Sequence, residues 1–420
     1  MNIGLYGVSR SGKNYLIERL MESLNKKCEN TLIHINGSGT LDKLSNELFG
    51  IPLKNANENQ KTKLRILFCD RLIAGETGYR HKIVDGHYSF YKNGKLETVF
   101  TDSDRDIYDV FFYIDTPAEI IIKQANKDHQ KKDVAFMSIE QINAWKDFEI
   151  QSLRKMCYDQ SKEFVVLDNN VEECIDFFET LLLETRDVLL NSKKIAELVL
   201  SKHENVFNKY NNVVLLDCDR TLSNNDTTYD FCNILGIENT VLKDIFHGEH
   251  YSLYQFFRVA KIYSKYSISD YKRASIYAMG KMQLNMHLVE DINKNGANYL
   301  SVGITSGVLG TWESVVEQYN FPSILIGGSN FNSDKYIISR AVKYYLVKLL
   351  KDTKKQVIAV GDSMVDFDML NVADKGFLVA QEKINSKIKV IFENSKTDIM
   401  QLEYNQLHYK GIEVKRSMFL

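Results

Sequence analysis

The strongest constraint on this chain lies near its middle, in Asn212-Val-Val-Leu-Leu-Asp217-Cys-Asp219-Arg-Thr221-Leu. Four apolar residues, Val213 to Leu216, run unbroken into two carboxylates spaced i, i+2. So short an apolar run predicts a strand buried on both faces, as in a parallel sheet covered by helices. Alternate residues of an extended chain point the same way, so Asp217 and Asp219 converge just past the strand's end. Open parallel sheets build their sites at that end. Taken alone, the run also fits a strand closing in an ordinary turn, where Asp is common. As functional acids, one carboxylate can attack a phosphorus atom while the other handles protons, with a divalent cation screening both from an anionic substrate.

The C-terminal half repeats this design. Val302-Gly-Ile-Thr-Ser306-Gly307 is a second apolar strand, ending in a hydroxyl and a glycine. Gln356-Val-Ile-Ala-Val-Gly361-Asp362-Ser-Met-Val-Asp366 is a third, ending in two more acids. Lys343 opens an amphipathic helix that leads directly into that third strand.

These four ordered segments resemble the motifs of the haloacid dehalogenase superfamily of phosphotransferases, in its phosphoserine-phosphatase-like branch, over residues 211–420. The resemblance implies a Rossmannoid domain in which Asp217 is the nucleophile and forms an aspartyl-phosphate. It implies that Asp219 is the general acid and then the base for water. Ser306, the Gly307 amide and a lysine would hold the phosphoryl oxygens. Asp217, Asp219, Asp362 and Asp366 would form the Mg2+ site. Lys343 is preferred to Lys335 as that lysine, because Lys335 sits in a loop-like Asn-Ser-Asp-Lys run. Arg220 departs from the glycine that many members carry. The aromatic-rich stretch 223–298 is expected to form a helical cap that excludes water during chemistry. Most of its aromatics should be cap core and a few should line the substrate pocket. Arg258, Lys261 and Arg273 are candidates to meet an acidic substrate group.

The N-terminal half opens on an apolar strand, Met1–Gly7, followed by Gly7-Val-Ser-Arg-Ser11-Gly12-Lys13-Asn14 and a run with helical periodicity. Strand, glycine loop and helix give the context that a phosphate-binding P-loop requires. The loop amides and helix N-terminus would hold ATP, with Lys13 on the outer phosphates. Asn14 stands where the motif has a hydroxyl residue. Further strands are expected at 31–36, 82–85, 110–115 and 163–168, giving a doubly wound sheet. Asp85 ends one of them and is placed to hold a metal's water shell or accept a substrate proton. His87 beside it is a weaker candidate. Residues 1–185 resemble P-loop kinases that act on small acceptors. Such kinases usually carry an arginine-bearing lid; here Lys127, Lys131 and Lys132 occupy its place, with Arg154 further on. A lysine lacks the bidentate geometry of arginine, so phosphate clamping there would be looser. A solvated charged helix is the alternative account of those lysines. Gly37 to Thr40 and Asp42 are acceptor-pocket candidates by position alone.

The chain's 420 residues suit two domains. Stretch 186–210 has no glycine or proline and is expected to be a helical connector. A composition of 44% hydrophobic and 26% charged residues is that of a soluble globular protein. A net charge of −2 gives no basic footprint for nucleic acid. The six cysteines form no Cys-x-x-Cys pair, which suits a reducing cytoplasm. No run reaches the roughly 18 apolar residues of a membrane span. The reading is a bifunctional phosphotransfer enzyme, a Mg2+-dependent phosphatase of a small metabolite or nucleotide joined to an ATP-dependent kinase. A polynucleotide kinase–phosphatase for end healing is one alternative. A phosphatase regulated by an ATP-sensing P-loop is another.

Overall fold

Two separate series of apolar runs build two parallel sheets. The computed structural model describes residues 1–74, 78–92, 94–127, 134–380, 386–394, 397–403 and 412–419. The chain divides into two units, Met1–Arg186 and Asp187–Leu420. Both are mixed α/β, and each has its own sheet.

In the first unit the strands are β1 (Asn2–Tyr6), β2 (Leu32–Asn36), β3 (His81–Asp85), a hairpin of β4 (Ser89–Lys92) and β5 (Lys95–Thr98), then β6 (Val110–Ile114) and β7 (Glu163–Leu167). The main sheet runs β2-β3-β1-β6-β7 and is parallel throughout. Its strands lie within one residue of the expected bounds; the hairpin was not foreseen. The pleat of β6 shows why both faces are apolar. Phe111 and Tyr113 enter a core with Leu64, Phe68 and Leu153, while Phe112 meets Phe177 and Phe178 from the helix Val171–Leu183. The ends of β1 and β3 therefore open between two helical layers, which is where the glycine loop and Asp85 sit.

The second unit carries β8 (Asn212–Asp217), β9 (Tyr299–Ile304), β10 (Ile324–Ile326), β11 (Gln356–Gly361), β12 (Lys375–Val379), β13 (Met400–Leu402) and β14 (Val414–Lys415). The sheet order is β10-β9-β8-β11-β12-β13-β14, again all parallel. β8 is central, and register sets Asp217 opposite Ile304 and Leu216 opposite Val360. The three segments singled out from sequence thus end side by side at one sheet edge.

Four helices, Thr227–Leu235, Asn239–Ile245, Leu253–Tyr263 and Ile268–Lys281, follow β8 and contribute to a core of their own with Phe231, Tyr263 and Tyr271. The chain leaves and rejoins the α/β body at one place, where Ser223 pairs with Leu284 and Asn224 donates to the Gln283 carbonyl. The expected cap of 223–298 is therefore shorter. Helix Met286–Asn295 packs Leu288 and Ile292 into the sheet's core beside Trp312. Stretch 186–210 likewise differs from the expected connector. Its helix Ser192–Lys202 buries Ile195, Ala196 and Val199 and packs on helix Arg340–Asp352, inside the second unit. An apolar helix face needs a partner surface, and the second unit supplies one.

Candidate functional site

At the sheet edge of the second unit, helix Arg340–Asp352 brings Lys343 beneath the ends of β8 and β11. Ser339 caps that helix through its hydroxyl, which accepts from the Val342 amide. Arg340 holds Asp368 bidentately at 2.5 and 2.6 Å, tying the helix to the segment after β11. Lys343 is fully buried, and its ammonium donates to Asp217 Oδ1 at 2.5 Å and to Asp366 Oδ1 at 2.7 Å. The other oxygen of Asp366 accepts from the Ser363 amide and hydroxyl. Gly361 permits this approach, since a Cβ there would stand 2.4 Å from that of Asp366.

Asp217, Asp362 and Asp366 each offer a carboxylate oxygen, all within 4.8 Å of one another. Three hard oxygen donors this close suit a small divalent cation such as Mg2+. The electrostatics agree. Burial, and then the charge of Asp366, push Asp217 up to about 7, against the pull of Lys343. Burial, and then the charges of Asp217 and Asp366, hold Asp362 well above the usual carboxylate range. Burial alone would lower Lys343, but the two carboxylates outweigh it and raise it. The acids are crowded beyond what one lysine neutralises.

Asp219, expected among the metal ligands, is not in this group. Its Oδ1 accepts from the Thr227 amide at 2.8 Å and hydroxyl at 2.6 Å, and its Oδ2 from the Trp312 indole at 3.3 Å. Burial, and then Asp226, still push it up to about 6, a suitable range for a proton donor near neutrality. The chain turns sharply here, with Arg220 at φ +62° and its guanidinium 3.5 Å from Asp226. That left-handed turn explains why glycine is the natural occupant, and the ion pair shows what arginine gains there.

Ser306 lines a cavity together with Asp217, Asp219 and Lys343, and its buried hydroxyl has no partner among the described residues. An orphaned buried hydroxyl facing a cavity is a site prepared for a ligand oxygen. The Gly307 amide donates to Thr305 Oγ1 rather than standing open. A side chain at position 307 would meet Asp219 Oδ2 at 2.9 Å. Lys335 is at the surface, paired with Asp187. Arg258, Lys261 and Arg273 do not line the cavity; Arg220 and Lys243 do.

The first unit presents a second constellation. Gly7 and Gly12 have φ of +151° and +88°, and a Cβ on Gly7 would lie 2.7 Å from Ser11 Oγ. Helix Lys13–Lys27 starts with no side-chain cap and no acid in its first turn. Its N-terminal amides are therefore suited to an anion. Ser11 Oγ is buried without a partner among the described residues. Lys13 is buried and donates to the carbonyls of Gly7 at 2.5 Å and Val8 at 3.2 Å. Asn14 is exposed. These features fit the phosphates of ATP. Asp85 lies 2.8 Å from His34 Nε2 and near the Gly37 amide. Burial alone would raise Asp85, but His34, Gly37 and the field of Lys13 bring it below its ordinary value. Glu149, fully buried, accepts from Ser89, Tyr113 and Trp145, and burial pushes it up. Lys127 ends helix Ala118–Lys127, whereas Lys131 and Lys132 lie outside the described residues.

Sequence reasoning missed His34, Glu149, Thr227, Trp312 and Arg340. Only the Arg340–Asp368 pair left a local trace, Asp368 being two residues from Asp366. Thr227 lies eight residues past Asp219, across a turn, and the others are brought in from distant segments.

No family model matches the sequence, and no curated protein matches it. Solved structures similar to parts of it include a HAD family hydrolase from Salmonella enterica subsp. enterica serovar Typhi, 16% identical over 47% of this chain and 68% of that one, TM-score 0.33. A phosphoserine phosphatase in apo form is 16% identical over 44% and 99%, TM-score 0.31. Shikimate kinase from Bacteroides thetaiotaomicron is 15% identical over 43% and 98%, TM-score 0.27. Alignments this distant assign no residue of this chain, and the chemistry rests on the geometry above.

Proposed function

We propose that the second unit hydrolyses a small phosphomonoester through an aspartyl-phosphate on Asp217. The observation that carries this reading is the convergence of Lys343 with Asp217 and Asp366, beside Asp362, at the ends of β8 and β11. An Asp217 oxygen attacks phosphorus while Asp219 gives its proton to the departing alcohol oxygen, so a P–O bond forms as another breaks. Asp219, now a carboxylate, then takes a proton from the water that attacks the phosphoryl group, releasing phosphate and restoring Asp217. On this reading Ser306, whose hydroxyl has no partner among the described residues, donates to a phosphoryl oxygen. Bound at Asp217, Asp362 and Asp366, Mg2+ would screen their charge from the anionic substrate. Thr227 and Trp312 orient Asp219, while its burial and the charge of Asp226 keep its proton available near neutral pH.

The first unit, on this reading, binds ATP at the Gly7–Lys13 loop, with Asp85 and His34 beside the place where an acceptor would meet it. ATP-dependent phosphorylation of a small acceptor is the activity that arrangement serves.

The test is Mg2+-dependent phosphate release by the full chain, wild type beside Asp217→Asn. Small phosphomonoesters form one substrate pool and oligonucleotides with 3′-phosphates the other. The substitution should cost at least about three orders of magnitude in kcat with the circular dichroism unchanged. Full activity in that variant would remove Asp217 as nucleophile. Turnover of the oligonucleotide pool alone would move the reading to end healing. ATP binding without acceptor-dependent ADP formation would make the first unit a sensor.

A further inference from the structure

The cavity over Asp217 has a volume of about 340 Å³, far more than a phosphoryl group fills and within the roughly 300–1,000 Å³ of small-molecule pockets. Its floor is polar, formed by the catalytic acids and Ser306. Its cap side is apolar, formed by Leu242, Phe246, Tyr251, Phe256, Val259 and Tyr263. Three of these rings form one cluster. Phe246 is 5.4 Å from Tyr251 and 5.1 Å from Phe256, centroid to centroid, and Tyr251 is 6.5 Å from Phe256. Phe246 and Tyr251 are only half-buried, unlike the fully buried Phe231 and Phe257 on neighbouring helices.

The backbone is strained to put Tyr251 there. Gly248, Glu249 and Tyr251 have φ of +81°, +54° and +51° within four residues. Such a φ is a genuine outlier for a bulky residue, and strain of this kind gathers at functional sites. The Tyr251 carbonyl accepts from the Arg340 amide, at the start of the helix that carries Lys343. The turn is thereby fastened to the catalytic body. Polar groups for an amino-acid leaving group are scarce on the cap side. Among the described lining residues beyond the phosphoryl end, they are Asp226, which Arg220 already pairs, Thr228, Lys243 and the hydroxyl tips of Tyr251 and Tyr263.

Resting on the phosphatase reading above, we propose that Phe246, Tyr251 and Phe256 are specificity-determining residues that bind a ring-bearing leaving group. The substrate class is then a small phosphomonoester of a ring-bearing alcohol, not a phosphorylated amino acid or an acyclic polyol. Stacked and edge-on rings add attraction beyond buried area, which acyclic chains do not gain.

The test compares kcat/KM of the full chain with Mg2+ on 2-phenylethyl phosphate, propyl phosphate and phosphoserine. The first two have leaving alcohols of similar basicity, so chemistry alone does not separate them. The expected result is at least a tenfold preference for the phenyl compound, expressed mainly in KM. Tyr251→Ala and Phe256→Leu should each shrink that preference several-fold, and Tyr251→Phe should keep it. Equal kcat/KM for the phenyl and propyl compounds, or a preference for phosphoserine, overturns the inference and leaves the phosphatase intact. A preference that survives both Tyr251→Ala and Phe256→Leu also overturns it. Absence of any Asp217-dependent release from all three, and from the wider pool of small phosphomonoesters, removes the phosphatase reading itself.

Discussion

Lys343 and Lys13 are both buried lysines in the first turn of a helix that follows a sheet strand or leads into one. Lys343 lies between two carboxylates, Asp217 and Asp366, which reach it from the ends of two different strands. Lys13 donates to the neutral Gly7 and Val8 carbonyls of its own loop, and its field reaches Asp85 and Glu149. One charge is therefore part of the folded scaffold and is matched before any substrate arrives. The other donates to dipoles of the glycine loop, which a phosphate can replace at small cost. Buried charge is tolerated in both places, by different means.

The sharpest way to break this contrast is Lys343→Met. Removing one partner of a buried ionic group leaves the others uncompensated, so the second unit should lose about 3–5 kcal/mol of stability at pH 8. Urea denaturation followed by near-ultraviolet circular dichroism measures it. A change below 1 kcal/mol, on the scale of an ordinary hydrogen bond, would show that Lys343 is not the counter-ion described here.

Lys13→Met should behave oppositely. Its cost in stability should be only about 1 kcal/mol, while affinity for ATP falls about 10- to 100-fold, the worth of a charge-assisted hydrogen bond. Calorimetric titration with ATP reads the second quantity. Unaltered affinity would mean that the glycine loop is structural.

The smallest effect is expected at Trp312→Phe. The indole hydrogen bond favours ionised Asp219, so its loss should raise that carboxyl further, by less than about one pH unit. In the proposed mechanism the first chemical step needs Asp219 protonated, and that form is lost as pH rises through about 6. The basic limb of the kcat/KM profile should therefore move to higher pH in the variant. The same shift has a sign for folding. A carboxyl raised in the folded state binds its proton more tightly there than when unfolded. The stability it contributes is present below its ordinary value and is lost as pH rises through about 6. A basic limb that stays put would detach Trp312 from Asp219.

The clustered acids were legible because each stands at the end of an apolar run that burial on both faces makes unmistakable. Val213–Leu216, Val302–Ile304 and Val357–Val360 announce three central strands, and a parallel sheet aligns their ends. Lys343 was legible by its place in an amphipathic helix leading into β11. Trp312 and Thr227 were not, because neither lies beside Asp219 in sequence and both belong to ordinary-looking helices. His34 reads as one residue of a strand, and Glu149 as one acid of a charged helix, until β2 and helix Ile139–Asp159 are docked. The cap's bounds also escaped, since Met286–Asn295 is helical whichever core it joins.

The sequence by itself determined the two parallel sheets, their order along the chain and the acids at their edges. Apolar runs and glycine loops are local signals, set by pleat, burial and backbone freedom within a few residues. Only the tertiary structure decided which carboxylates face Lys343, that Asp219 is held by Thr227 and Trp312, and that a strained turn brings Tyr251 over the acids. Those facts depend on side chains from distant segments meeting in low-dielectric surroundings, where position sets both charge state and partner.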